Sequence, residues 1–429
     1  MTDVSREEVL EALKGGKVDY VRVEFVDVLG NTRGKSLRRF EFEEVLSGKG
    51  VDFAESLIVL DYSDQPLFAN YYDVIAIPEI ATFRLIPYLE RTARVLSYLV
   101  TPEGYPHNLC VRTSLRNSFT RLEEAELQLD AAFEPTFYLL EDRDGKLLPA
   151  DEAMAFSPEG LWDEQDFLKT LIKDLEMLDV RVSSINKHYG PGQYELKLAM
   201  SSAMEAADNL VAARETIRDV AKMNGLMATF MPKPFSDNVS SSMDVYLSFT
   251  KKGNPALVDA SDPKGNSISQ LGYNILAGLL EHLPAIMAIA APTINSYRRF
   301  KERVTPNRGG VGHERHFVIR LTTSFKENGL VEFRLADPLA NPYLFLSSII
   351  LSALDGIKRN LEIEIEKDVV DLPNSLEEAV RALNQDKVLV EGLGNALVDA
   401  YVKLKKKEID AYSNYVSDWE VKAYLKMGW

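Results

Sequence analysis

The chain is short of cysteine, of histidine and of positive charge. One cysteine, Cys110, stands among 429 residues, which excludes a disulfide framework and a thiolate metal cluster. A reducing, cytoplasmic setting is expected. The five histidines form no His-Glu-x-x-His pattern and no Cys/His cluster, and Gly-x-Ser-x-Gly is missing, so zinc-protease and serine-hydrolase readings have no support. Lys and Arg number 49 against 65 Asp and Glu, a formal net charge of -16. Neutralising phosphates needs a basic face, so nucleic acid is excluded as the main partner.

Long apolar runs are also missing. The most apolar segment, Leu283 to Pro292, is too short to span a bilayer, and a buried core helix is expected there rather than a membrane contact. The first residues have no apolar stretch of the export type. Ser5 and Glu8 instead have capping-box spacing, predicting a short helix that Gly15 and Gly16 end. "GNTRGKS", Gly30 to Ser36, has three residues between its glycines where a phosphate loop needs four, so it reads as a hairpin turn.

What is present is a globular composition, 46% hydrophobic and 27% charged, over a length that suggests two domains. "TPEGYPHN" has linker chemistry, and the boundary is set there: residues 1–104 and 105–429. In the first part, "VDYVRVEFVDVLG" and "KSLRRFEFEEV" read as two strands of a hairpin. In the second, strand-like "FEPTFYLLE", "QYELKLA", "SMDVYLSF" and "GLVEFRLA" are separated by helical segments. The clearest helix is "SSAMEAADNLVAARETIRDVAKMNG", with Met204, Ala207, Val211, Ile217 and Val220 on one side. Others are predicted over Ser269 to Ala291, Pro342 to Lys358 and Leu376 to Leu383. The run Lys403 to Glu408 reads as a solvated helix face. The expected class is α+β, a mixed sheet with helices against it.

"INKHYGPGQYELKL", Ile185 to Leu198, sets His188 and Glu195 at the two rims of a loop that Gly190, Pro191 and Gly192 force to reverse. Beyond it Tyr194, Leu196 and Leu198 alternate with Glu195 and Lys197, so Glu195 points away from the apolar side. A metal, a substrate amine or plain solvent could face it. Glu134, Asp244 and Glu332 are polar positions on the other strand-like segments. Four carboxylates and an imidazole converging from several strands suit Mg²⁺ or Mn²⁺, although each alone reads more readily as a solvated side chain than as a ligand, so only the set carries meaning. Arg298, Arg299, Arg303 and Arg308, with Arg315, Arg320 and Arg334, fall within 37 residues. They read as an anion-binding wall or as surface pairing with the surplus acids. Glu332 and Arg334, two apart on one strand face, favour a metal ligand beside a phosphate clamp.

"GPGQYE", "ATFMPKP", "INSYRRF", "VEFRLADPLANPYLF" and "LPNSLEEAVRALNQD", in this order, resemble the successive signatures of the glutamine synthetase family, and the resemblance extends to "FVDVLGNTRGK" near the start. It implies a small N-terminal β-grasp-like domain and a large catalytic domain with a curved antiparallel sheet. It also implies a homo-oligomeric ring, usually dodecameric, that uses ATP and two divalent cations to activate a γ-carboxylate for attack by ammonia or an amine. By position, Glu134, Glu195 and Glu332 match metal-binding carboxylates. Arg299 matches the arginine that holds the substrate's α-carboxylate, and Arg334 the one at the transferred phosphoryl group. Asp27 matches an aspartate that a neighbouring subunit contributes to the ammonium site.

The departures are informative. Thr136 and His188 stand where the family has Glu, and Asp244 where it has His, so His188 and Asp244 remain able to hold a metal while Thr136 does not. "VSSSMD", Val239 to Asp244, replaces the family's "NGSGMH". Thr305 stands near the position of a flap glutamate, and His313 replaces an arginine of the nucleotide site with Arg315 beside it. Three readings follow: a ligase joining glutamate or a related acid to an amine, a catalytically silent ring, or a glutamine synthetase with altered ligands.

Overall fold

A computed structural model describes residues 4–68, 72–302 and 308–427. The helix Arg6–Lys14 begins in the predicted capping box, with the Ser5 hydroxyl accepting from the Glu8 amide and the Glu8 side chain accepting from Ser5. Tyr20–Val26 buries Val21, Val23 and Phe25 and lies at the heart of a six-stranded sheet. Thr32–Arg38 runs antiparallel on one side of it and Thr92–Val100 parallel on the other. Asp73–Pro78 and Val51–Ala54 complete the path, and Arg84–Leu85 pairs with Thr92–Val100.

The predicted second hairpin strand ends early. Past Arg38 the chain turns into the helix Arg39–Glu44, because Phe42, Val45 and Leu46 are three and four residues apart and bury together. Phe40, whose alternation with Phe42 suggests a strand, is left 58% exposed.

The second sheet has twelve strands, and four consecutive ones are Val331–Phe333, Met243–Lys251, Leu127–Arg143 and Gln193–Leu198, each antiparallel to the next. The helix Pro342–Arg359 backs this sheet, its Phe345 ring meeting Phe133 at 6.4 Å and Phe333 at 5.2 Å. Ala203–Met223 is the predicted long helix, with Ala207, Val211, Ile217 and Val220 buried. The mixed α+β class and the curled antiparallel sheet are as expected.

Two helical expectations need correction. Ser269 to Ala291 is not one helix: Gln270–Glu281 and Leu283–Ala290 meet at His282 with a bend of 65°. Pro284 falls in the first turn of the second helix, where a missing amide hydrogen costs nothing. The Lys403 to Glu408 run is not wholly solvated either. Lys405 is buried in the helix Asn395–Ser413, 3.3 Å from Glu408 and over the Tyr401 ring, while Lys403 and Lys406 stay exposed. Among the described residues no single helix is long and apolar enough to cross a membrane.

His282 clamps this bend. Its Nδ1 lies 2.6 Å from Asp386 and its Nε2 3.1 Å from Asp355. Burial opposes the imidazolium, but the two carboxylates outweigh it and raise its pKa above the ordinary 6.5. A raised folded-state pKa gives stability that is fully present below about pH 6.5 and is lost as pH climbs through the folded value. His282→Gln is therefore expected to cost about 2 kcal/mol at pH 5.5 and less at pH 9. Urea unfolding at both pH values checks this; an equal gap at the two would refute the clamp.

Candidate active site

Sheet register explains how four strands make one polar face. Directly opposite residues of antiparallel strands share a face, as do residues two apart on one strand. Asp244 stands opposite Glu134, Tyr246 opposite Glu332, Arg320 opposite Glu332, and Glu195 opposite Thr136. The residues Glu134, Asp244, Glu332 and Glu195 thus come together from segments far apart in sequence. His188 joins them from the loop, and Arg299, Arg315 and Arg334 from the far wall, around a cavity of about 780 Å³.

The loop is built by close approach. A side chain on Gly190 would sit 2.4 Å from the Tyr138 hydroxyl, and Gly192 has φ +64°, so glycine is required at both. The Gln193 side chain accepts from the Gly190 amide at 2.9 Å and meets His188 Nδ1 at 3.1 Å. That contact leaves Nε2 facing Glu195 Oε1 at 3.5 Å. Burial lowers the His188 pKa against the Gln193 hydrogen bond, with Lys187 helping, so the ring favours the neutral form that coordinates metals. Burial, then the Glu134 charge, pushes Glu195 up to about 7. Asp244 is raised well above the carboxylate range by burial, which Arg334 opposes and Glu332 reinforces.

The seven arginines do not make one wall. Arg299, Arg315, Arg320 and Arg334 line the site. Arg298 instead faces a larger cavity of about 870 Å³ and donates to Tyr412, Arg308 donates to the Glu366 carbonyl, and Arg303, like Thr305, lies outside the described residues. His313 is exposed beside Glu366, away from the cavity. Asp27 is also elsewhere, buried and held by Arg33 at 2.9 Å and the Asn31 amide at 2.8 Å. Arg299 is 1% exposed with Nε lacking a hydrogen-bond partner among the described residues. A buried guanidinium in that state is suited to an incoming carboxylate.

Thr136 has been put to other use: its hydroxyl donates to the Ser242 carbonyl at 3.0 Å and accepts from the Ser242 amide at 2.7 Å. It pins the "VSSSMD" segment instead of offering a ligand. Ser240 of that segment is tied to Glu302 at 2.7 Å.

Sequence reasoning left Lys197 without a role and placed Arg320 only in the anion-binding wall, not beside Glu332. Lys197 Nζ lies 3.6 Å from Glu134 and 3.4 Å from the centroid of the Tyr246 ring. Arg320 pairs with Glu332, and Arg334 Nε lies 3.4 Å from Glu332 and 3.6 Å from Asp244. The signal for Lys197 was its position two residues after Glu195, on the same strand face.

These pairings decide which donors fit a metal. Among the described residues no group of three or more His, Cys, Asp or Glu is arranged to hold one. His188 and Glu195 fit a single Mg²⁺ or Mn²⁺, because such ions are commonly held by one or two protein ligands plus substrate phosphates and water. Glu134, Asp244 and Glu332 fit less well, since each already faces a protein cation. A divalent ion about 4 Å from an ammonium is repelled by about 8 kcal/mol at an effective dielectric of about 20.

The family model for the glutamine synthetase catalytic domain matches residues 108–424. The chain belongs to the glutamine synthetase family. It is 30% identical to a glutamine synthetase of Methanococcus maripaludis, over 98% of this chain and 99% of that one. It is equally 30% identical to the glutamate–methylamine ligase of Methyloversatilis universalis, over 99% and 100% of the two chains. The ligand-free structure of GmaS superposes with a TM-score of 0.86 at 27% identity, covering 99% of this chain and 100% of that one. Full-length correspondence makes this a glutamine synthetase family member throughout, with Thr136 and Asp244 on strands and His188 on a loop of the part that the catalytic-domain model matches.

Proposed function

We propose that this protein is an ATP-dependent ligase that activates the γ-carboxylate of glutamate, or of a related acid, as an acyl phosphate and joins it to an amine. The observation that carries this reading is the gathering of Glu134, His188, Glu195, Asp244, Glu332 and four arginines around one cavity. Arg299 would hold the acid's α-carboxylate, and Arg315 and Arg334 the phosphates. A Mg²⁺ or Mn²⁺ ion at His188 and Glu195 would offset phosphate charge. The acid's carboxylate oxygen bonds to the γ-phosphorus as ADP leaves; the amine nitrogen then bonds to the acyl carbon, phosphate departs, and the nitrogen loses a proton.

An amine larger than ammonia is favoured by the residues at the cavity edge. Phe156 and Tyr189 are each about half exposed and meet edge to face at 5.1 Å, with the His188 ring 4.8 Å from Tyr189. They offer apolar surface to an alkyl group. Asp27 would act on the site of a neighbouring subunit, which makes a ring, by family precedent a dodecamer, part of the proposal. The division at residue 104 belongs to it too: the six-stranded sheet would be the β-grasp-like part that supplies Asp27.

The test is phosphate release by the purified full-length protein with ATP, Mn²⁺ or Mg²⁺, glutamate and amines from ammonia through methylamine to longer primary amines. Release that needs both acid and amine, and that Glu332→Ala abolishes, is expected. No release with any pair would favour the second reading, a silent ring, for which Thr136 as a backbone clamp is the supporting observation.

A further inference from the structure

We propose that Lys197 is a cation built into this site in place of a second metal, so that the five candidate donors hold one divalent ion and not two. The inference rests on the ligase reading for the role of the cavity, but its geometry stands by itself. Antiparallel register sets Glu195 opposite Thr136; continued by two residues, it sets Lys197 opposite Glu134, and the two side chains meet at 3.6 Å. The ammonium also lies over the Tyr246 ring at 3.4 Å, a face that attracts cations. Tyr246 is itself opposite Glu332. Lys197 is thus held from two neighbouring strands, on the row that carries Glu134, Asp244 and Glu332.

Charge balance gives the consequence. Three carboxylates, Glu134, Asp244 and Glu332, face three protein cations, Lys197, Arg334 and Arg320. The carboxylates of that half are offset without a metal. The other half, His188 and Glu195, has no Lys or Arg within salt-bridge distance among the described residues and keeps its attraction for a cation. Cation affinity in oxygen-ligand sites follows ligand charge, so the two halves differ in what they accept. Of the three cations, Lys197 is the one at Glu134, and its removal frees that carboxylate.

The test counts bound Mn²⁺ by the loss of the free-ion EPR signal when Mn²⁺ alone is titrated into the full-length protein. One ion per chain is expected for the wild type. Lys197→Met keeps the length of the side chain, which is 30% exposed, and removes the charge. It is expected to bind two ions, the second at least about tenfold tighter than any second ion in the wild type. Lys197→Arg keeps the charge and is expected to bind one. Two ions of similar affinity in the wild type, none in the wild type, or an unchanged count in a folded Lys197→Met would each overturn the inference. Because the count needs no turnover, phosphate release with two bound ions would remove the Lys197 role alone. One bound ion without acid-dependent release would remove the ligase reading alone.

Discussion

Replacing Arg94 with methionine is expected to cost about 3–5 kcal/mol of stability. Arg94, on Thr92–Val100, is 4% exposed; its guanidinium forms ion pairs with Glu24 of Tyr20–Val26 and with Glu215 of the helix Ala203–Met223, both at 2.8 Å. One guanidinium therefore bridges two carboxylates and fastens the small sheet to a helix of the large one. Burial pushes Glu24 up to about 7, with Arg94 opposing that rise and Glu215 adding to it. Remove Arg94 and Glu24 is left buried, beside a like charge, with its compensation gone. Its pKa then climbs further, and a raised carboxylate pKa is a cost that is full above the folded value and vanishes below the unfolded one, about 4.5. The gap between variant and wild type should accordingly narrow as pH falls from 8 toward 5. Denaturant unfolding of the full-length protein measures both effects, and Glu24→Gln added to Arg94→Met should recover part of the loss. A loss under about 1 kcal/mol, the range of an exposed pair, would mean that the triad is not a fastener.

The contrast between the two sheets shows what sequence pattern can carry. The site strands were legible because each alternates: Tyr194, Leu196 and Leu198 are buried, and Glu195 and Lys197 lie on the other face. The class of fold, the long helix at 203 to 223 and the gathering of Glu134, His188, Glu195, Asp244 and Glu332 followed from such patterns and from motif order. Pairing between strands did not, because register is a long-range property set by packing. Without register, Lys197 could not be put opposite Glu134, and the arginines between 298 and 334 read as one wall although Arg298 and Arg308 turn away. The bend at His282 was hidden for a related reason. Its partners, Asp355 and Asp386, are 73 and 104 residues distant, and the apolar periodicity on either side continues past it. Arg39 to Leu46 misled because Phe40 and Phe42 satisfy a strand pattern while Phe42, Val45 and Leu46 satisfy a helical one. Burial favoured the second.

Arg334→Gln is expected to lower the rate of acid- and amine-dependent phosphate release by about 10²–10³-fold. Arg334 follows Val331–Phe333 directly and is 11% exposed on its side chain. Its Nε faces Glu332 and Asp244, and its Nη1 donates to the Arg315 carbonyl. The guanidinium is thus fixed on one edge before any substrate arrives, and the rest of it borders the cavity. A charge held in place costs no reorganisation when the phosphoryl group moves, which is why such groups act on kcat more than on KM. Lysine at this position keeps the charge but loses the planar fork, so Arg334→Lys should recover only part of the rate. The same substitution has a second, opposite consequence. Arg334 offsets Asp244 and Glu332, so Arg334→Gln should strengthen Mn²⁺ binding in that half of the site while slowing the chemistry. A variant that binds Mn²⁺ more tightly and turns over more slowly assigns Arg334 to the transferred phosphoryl group. If the rate stays within about threefold of wild type, the guanidinium serves only to balance the two carboxylates, and phosphoryl charge must be met by Arg315 or Arg320.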